Sequence, residues 1–119
     1  MKIESLYVAA EDFARARAFY TQTLFQKEPS SSTDRFVFYD VGGFQFGVFD
    51  PGVTGEAVSF GNNCVPTFEV SDLAALHDRL RAEKVEIVMP LQEVNDTVIF
   101  QCHDSEGNIL EFYRWKEES

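Results

Sequence analysis

The apolar positions change period along this chain, and each change marks an element. Residues 2–9 are rich in β-formers and predict a strand; Asp12 then stands as an N-cap before Phe13, Ala16, Tyr20 and Leu24, which share one helical stripe over 12–24. Pro29 and the Ser30-Ser31-Ser32 cluster punctuate a short extended segment that begins near Phe25. Residues 35–41 and 44–49 read as strands joined by Gly42-Gly43, a pair suited to a tight hairpin. Between 50 and 63 the chain carries Pro51, Gly52, Gly55, Gly61, Asn62 and Asn63, the composition of a linker without a helical period. The same order then recurs. Residues 64–70 predict a strand, Ser71-Asp72 a helix start with Leu73, Leu76 and Leu80 as its buried stripe, and strands follow near 86–91, at 97–103 and at 109–115.

Both halves therefore read βαβββ, and the fold class is α+β. A shift of 60 residues lays Asp12-Phe13-Ala14 on Asp72-Leu73-Ala74, and a shift of 64 lays Gly43-Phe44-Gln45-Phe46 on Gly107-Asn108-Ile109-Leu110. These matches point to a duplicated unit. With 119 residues there is sequence for one domain, 1–119, expected as modules at about 1–50 and 64–119 with a linker at about 51–63.

Composition narrows the partners. Ten Lys plus Arg against 20 Asp plus Glu give a net charge of −10, which repels phosphate backbones and anionic membrane surfaces and draws in cations. Nucleic acid and membranes are therefore not expected as partners. No apolar run reaches the roughly 18 residues of a membrane span, and Met1-Lys2-Ile3-Glu4 lacks the apolar core of a signal peptide, so a soluble cytoplasmic protein is expected. Two cysteines are too few for a disulfide framework; Cys64 and Cys102 are expected reduced and buried. Twelve Phe, 4 Tyr and 1 Trp are more rings than a core of this size requires.

Three stretches carry a family resemblance: 8–20 with Asp12 and Phe19-Tyr20, then 67–80, then Asp104-Ser105-Glu106-Gly107-Asn108 followed by Leu110-Glu111-Phe112. Together they resemble the vicinal oxygen chelate superfamily, which includes glyoxalase I, extradiol dioxygenases, and fosfomycin- and bleomycin-resistance proteins. The resemblance implies paired βαβββ modules, each with a curved mixed sheet lining a cavity, in a homodimer. Metal-dependent members place one ligand on the first and one on the last strand of each module. The matching positions here are Ser5, Gly47, Val65 and Glu111. A catalytic divalent ion requires about three imidazole, carboxylate or thiolate ligands, so no metal or other cofactor is expected and no residue is assigned a catalytic role. Displaced ligands, with His103, Glu69 and Glu111 converging, are the alternative.

Strand alternation extends this set, because residues two apart share a face. Ser5 adds Tyr7; Gly47 adds Gln45 and Phe49; Val65 adds Thr67 and Glu69; Glu111 adds Ile109 and Tyr113. If Asp104 opposes Asn108 across a hairpin, Gln101 faces Glu111 and His103 faces Ile109. The expected ligand-binding residues are thus Tyr7, Gln45, Phe49, Thr67, Gln101, His103, Glu111 and Tyr113. His77 reads as a surface helical residue, and the helical arginines as solvated faces or dimer contacts. Two features depart from the family pattern. Lys84 stands where the turn after the second helix often has Gly, which requires either a different turn or a left-handed lysine. Residues 93–98 lack the Trp-Gly and Arg pattern of bleomycin-binding members. The expected function is metal-free binding of a small organic molecule, planar or cationic, as in sequestration of an antibiotic. A metal-dependent lyase, isomerase or dioxygenase and a dimeric interaction module are the alternatives.

Overall fold

Each half of the chain builds one four-stranded sheet around a parallel pair. The computed structural model describes residues 1, 3–54, 60 and 64–116, with the backbone alone at 53 and 54. It comprises two units, Met1–Phe60 and Gly61–Ser119. Residues 55–59 and 61–63 of the expected linker lie outside the described residues, as does Lys2 of the first expected strand.

In the first unit, β1 (Ser5–Ala9) leads into α1 (Phe13–Ala18), followed by β2 (Ser31–Ser32), β3 (Phe36–Val41), β4 (Phe44–Phe49) and the short α2 (Pro51–Thr54). Sheet order is β1-β4-β3-β2, with β1 parallel to β4 and the other pairs antiparallel. Helix α2 corrects the expectation of an element-free stretch after residue 50; Pro51 suits a first helical position because it has no N–H to leave unpaired. Asp12 is the N-cap, its Oδ1 accepting from the Arg15 N–H at 3.1 Å.

The first helix differs from a uniform α-helix. Residues Phe19–Leu24 are π-helical, and the Phe25 N–H donates to Tyr20 O, five residues back, at 2.9 Å. The wider turn lets Phe19, Tyr20 and Leu24 all bury, while Phe13 is only half-buried. Tyr20 packs among Phe19, Phe25 and Phe46 at 5.1, 5.8 and 5.2 Å between ring centroids, over the buried Val37, Tyr39 and Val48. Burial pushes the Tyr39 phenol above its ordinary pKa, and Thr21 Oγ1 lies 2.7 Å from its hydroxyl oxygen. Gln26, at φ 55°, reverses the chain, so the extended segment expected from Phe25 forms a strand only at Ser31.

The second unit repeats the plan with β5 (Thr67–Glu69), α3 (Leu73–Ala82), β6 (Ile87–Val94), β7 (Thr97–His103) and β8 (Ile109–Trp115), in the order β5-β8-β7-β6 with β5 parallel to β8. Strand β5 is shorter than the expected 64–70. Pro66 has no N–H to give a ladder, although its carbonyl accepts from the Glu111 N–H at 2.9 Å. Strand β6 runs on past the expected residue 91, an edge strand with register shifts around Pro90, and turns into β7 through Asn95 at φ 54°.

Three expectations about side chains fail in this unit. Leu73, His77 and Leu80 form the buried stripe of α3, and Leu76 is only half-buried. His77 is 8% exposed, not a surface residue, and meets the Phe100 ring edge-to-face at 5.1 Å. Its spacing from Leu73 and Leu80, four and three residues, dictates this. Cys102 is buried as expected, but Cys64 is exposed.

Helix α3 ends in a Schellman motif. The Lys84 N–H donates to Arg81 O at 3.0 Å and the Val85 N–H to Leu80 O at 2.9 Å, with Lys84 left-handed at φ 64°. A side chain with a Cβ is disfavoured there. Lys84→Gly is therefore expected to raise stability by about 1 kcal/mol, read as a higher urea midpoint at unchanged slope; an unchanged or lower midpoint would refute the strain. No helix among the described residues is long and apolar enough to cross a membrane.

Candidate functional site

In the first unit, alternation sends Val37, Tyr39, Phe46 and Val48 into the core beneath the helix and leaves the other face of the sheet to Tyr7, Phe36, Phe38, Gln45, Gly47 and Phe49. The rings form a connected wall. Tyr7 meets Phe49 and Phe36 edge-to-face at 5.0 and 5.8 Å, and Phe36 stacks on Phe38 at 5.9 Å and on Phe49 at 6.0 Å. The Arg35 guanidinium lies 5.9 Å from the Phe36 centroid, so one face of this wall already attracts a cation. Tyr7 is 50% exposed despite its size.

An apolar recess of about 310 Å³ opens here, lined by Tyr7, Phe36 and Phe38 with Ser31, Ser32 and Thr33 on its rim. Its rim is braced locally. Thr33 Oγ1 accepts from the N–H groups of Arg35 and Phe36 at 3.3 and 3.1 Å, and the Ser30 hydroxyl lies 2.8 Å from Gln45 Oε1. Gln45 is thereby turned toward Ser30. Of the residues expected from sequence, Tyr7 and Phe49 join this wall. Phe36 and Phe38 were not among them, because the expectation began from the first and last strands of each module and left out β3. The alternation Phe36-Val37-Phe38-Tyr39 carries the missing signal.

The second unit presents a polar counterpart. On the open face of its sheet, the register sets Thr67, Glu111 and Gln101 in one row across β5, β8 and β7, with His103 opposite Ile109 as expected from the hairpin. The Thr67 hydroxyl donates to Glu111 Oε2 at 3.0 Å, and Gln101 Nε2 donates to Glu111 Oε1 at 3.0 Å. Each carboxylate oxygen is thus held by one neutral donor. His103 shares the face but is drawn to Glu86, with Nδ1 3.2 Å from Oε1. Tyr113 lies two residues beyond Glu111 and meets the exposed Trp115 edge-to-face at 5.8 Å.

The hairpin that positions Glu111 depends on Asp104. This buried carboxylate accepts from the N–H groups of Glu106 and Asn108, both at 2.8 Å, and from Asn108 Nδ2 at 2.8 Å, while Gly107 takes φ 85°. The motif 104–108 is thus a turn scaffold. Cys102, two residues before it, offers no activated thiol, because burial and then Asp104 push it up to about 12.

The metal ion used by the family's metal-dependent members does not fit the donors present. Ser5 offers a hydroxyl, Val65 nothing, and Glu111 one carboxylate already holding two hydrogen bonds. At Gly47 a Cβ would come within 2.5 Å of the Phe38 ring, which covers the place a ligating side chain would take. No group of three His, Cys, Asp or Glu side chains converges among the described residues, and His103 and Glu111 have separate partners.

No curated protein matches the chain. Several solved structures share its fold. A glyoxalase/bleomycin resistance protein/dioxygenase from Nocardioides superposes with a TM-score of 0.79 at 21% identity, over 100% of this chain and 86% of that one. TioX from Micromonospora sp. ML1 gives 0.73 at 24% identity, over 97% of this chain and 99% of that one. Lactoylglutathione lyase from Agrobacterium tumefaciens gives 0.78 at 22% identity, over 95% and 92% respectively. At these identities the likeness is one of fold. The family model of the Glyoxalase/Bleomycin resistance protein/Dioxygenase superfamily matches residues 2–112, nearly the whole sequence. On that match the chain belongs to the glyoxalase/bleomycin resistance protein/dioxygenase superfamily.

Proposed function

We propose that the protein is a metal-free binder that sequesters a small planar or cationic organic molecule, of the kind antibiotics present, acting as a single-domain cytoplasmic homodimer. The observation that carries this reading is the ring wall of Tyr7, Phe36 and Phe38, backed by the buried Phe49, along an apolar recess of about 310 Å³. That volume lies within the range of small-molecule pockets, and a few polar rim groups among rings match their usual make-up. Flat rings favour offset or edge-on contact with another flat π-system, and the net charge of −10 favours a positive one. The Phe38 ring over Gly47 supports the metal-free part.

A thermal-shift series with planar organic cations and divalent ions tests the reading. A compound present at about a hundred times its dissociation constant should add roughly 2.7 kcal/mol of stability, several degrees in midpoint for a domain of this size. Tyr7→Ala and Phe36→Ala are expected to abolish that shift while the proteins stay folded. Two results would overturn the proposal: no shift with any planar compound, or stoichiometric Zn, Ni, Mn or Fe in protein purified without chelators. The second would favour a metal-dependent lyase, isomerase or dioxygenase.

A further inference from the structure

Thr33 offers the recess of the first unit a hydrogen-bond donor and no acceptor. A hydroxyl has one O–H to give and two lone pairs to fill. Both lone pairs of Thr33 Oγ1 are engaged, by the Arg35 N–H at 3.3 Å and the Phe36 N–H at 3.1 Å. Its proton has no acceptor among the described residues. The Thr33 N–H also donates to Phe36 O at 2.8 Å, so this hydroxyl is fixed by hydrogen bonds in both directions to the residue whose ring lines the recess.

The lining of the recess decides what that proton can meet. Tyr7, Phe36 and Phe38 supply rings, Ser31, Ser32 and Thr33 the rim, and none of them carries a charge. Arg35 lies against the Phe36 ring without lining the recess. A carboxylate entering there would give up its hydration with no charged partner in the lining, whereas a carbonyl gives up far less and gains the Thr33 proton. A carbonyl also projects from the edge of a flat ring system in the plane of the rings. Its oxygen can therefore reach the rim while the rings stay against Tyr7, Phe36 and Phe38.

We propose that the recess selects planar compounds with a carbonyl at the ring edge, the Thr33 hydroxyl donating to that oxygen. This rests on the reading of the protein as a binder of planar organic molecules, and it names the polar group by which they are told apart. Coumarin and naphthalene are the probes: both are flat fused bicycles of similar size, and only coumarin has a carbonyl. Each is titrated by nuclear magnetic resonance into the wild-type protein, Thr33→Ser, Thr33→Val and Thr33→Asp. A carboxylate at 33 can still accept from the Arg35 and Phe36 N–H groups and so keeps the turn, but it has no proton to give.

The expected result is that Thr33→Val and Thr33→Asp both lower the affinity for coumarin relative to naphthalene by about fivefold, while Thr33→Ser keeps the wild-type ratio. Naphthalene has no lone pair to offer, so its affinity in each variant reports whether the ring wall is intact. A ratio unchanged in either Thr33→Val or Thr33→Asp, or lowered as much in Thr33→Ser, overturns the assignment of Thr33 and leaves the binding function standing. Loss in Thr33→Val alone would mark the hydroxyl as a brace of the turn. Should neither probe bind the wild-type protein while a planar cation of the thermal-shift series does, the carbonyl selection falls and the binding function stands; should none of them bind, both fall.

Discussion

Asp104→Ala is expected to lower the free energy of unfolding by about 4 kcal/mol. The substitution leaves three donors, the N–H groups of Glu106 and Asn108 and the Asn108 side-chain amide, without their acceptor in a buried turn. Each unsatisfied buried group costs about 1–3 kcal/mol, less whatever water recovers at the half-buried Glu106. The loss should appear as a midpoint lowered by roughly 10 °C or more, with loosened exchange protection across β7 and β8. Asp104→Asn keeps a carbonyl for the two N–H groups and requires only that the Asn108 amide turn over, so it should cost less than half as much. Equal effects from the two variants would show that shape, not acceptor capacity, holds the turn.

Raising the pH from 9 to 12 is expected to remove a comparable amount of stability. Burial, then the neighbouring Asp104, lift the Cys102 thiol from 9.0 to about 12. Folding therefore favours the protonated thiol. Its contribution is fully present below pH 9 and declines by about 1.4 kcal/mol per unit as pH rises toward 12, about 4 kcal/mol in all. Tyr39, also raised by burial, adds a loss of the same sign above its ordinary value of 10.0. Urea titrations at stepped pH should show the decline, and Cys102→Ala should flatten it while retaining the Tyr39 part. An equally steep decline in Cys102→Ala would rule out the thiol as its source.

Much of the architecture was legible because local signals agreed with one another. Asp12 and Asp72 both cap helices, Gly42-Gly43 turns a hairpin, and the pairing of Asp104 with Asn108 placed Gln101 opposite Glu111, as the register has it. What escaped had competing signals. His77 is polar by type but sits at the spacing of Leu73 and Leu80, and spacing prevailed because the Phe100 ring offers its imidazole a packed contact. The residues Phe19–Leu24 are compatible with either helix, and only the demand to bury Phe19, Tyr20 and Leu24 together selects the wider turn. The bulges of β6 arise in its pairing with the next strand, β7, on either side of Met89, where a run of apolar residues gives no local sign of a register shift.

For the site, the polar row of the second unit followed from alternation, whereas the partners of its carboxylate depended on side-chain rotamers. The aromatic wall was seen only in part. Tyr7 and Phe49 lie on strands that the family resemblance singles out; Phe36 and Phe38 lie on β3, where the same alternation holds but nothing drew attention to it.

The Phe38 ring resting on Gly47 also constrains how this sequence can evolve. Any larger residue at 47 meets the ring first, since even a methyl carbon would come within 2.5 Å of it. A histidine or glutamate arriving at 47 alone would be selected against, and trimming Phe38 alone would cost the wall a stacked neighbour. The two positions are epistatic. A descendant that acquires a donor at 47 must change residue 38 first, so the order of substitutions acts as a ratchet on this lineage.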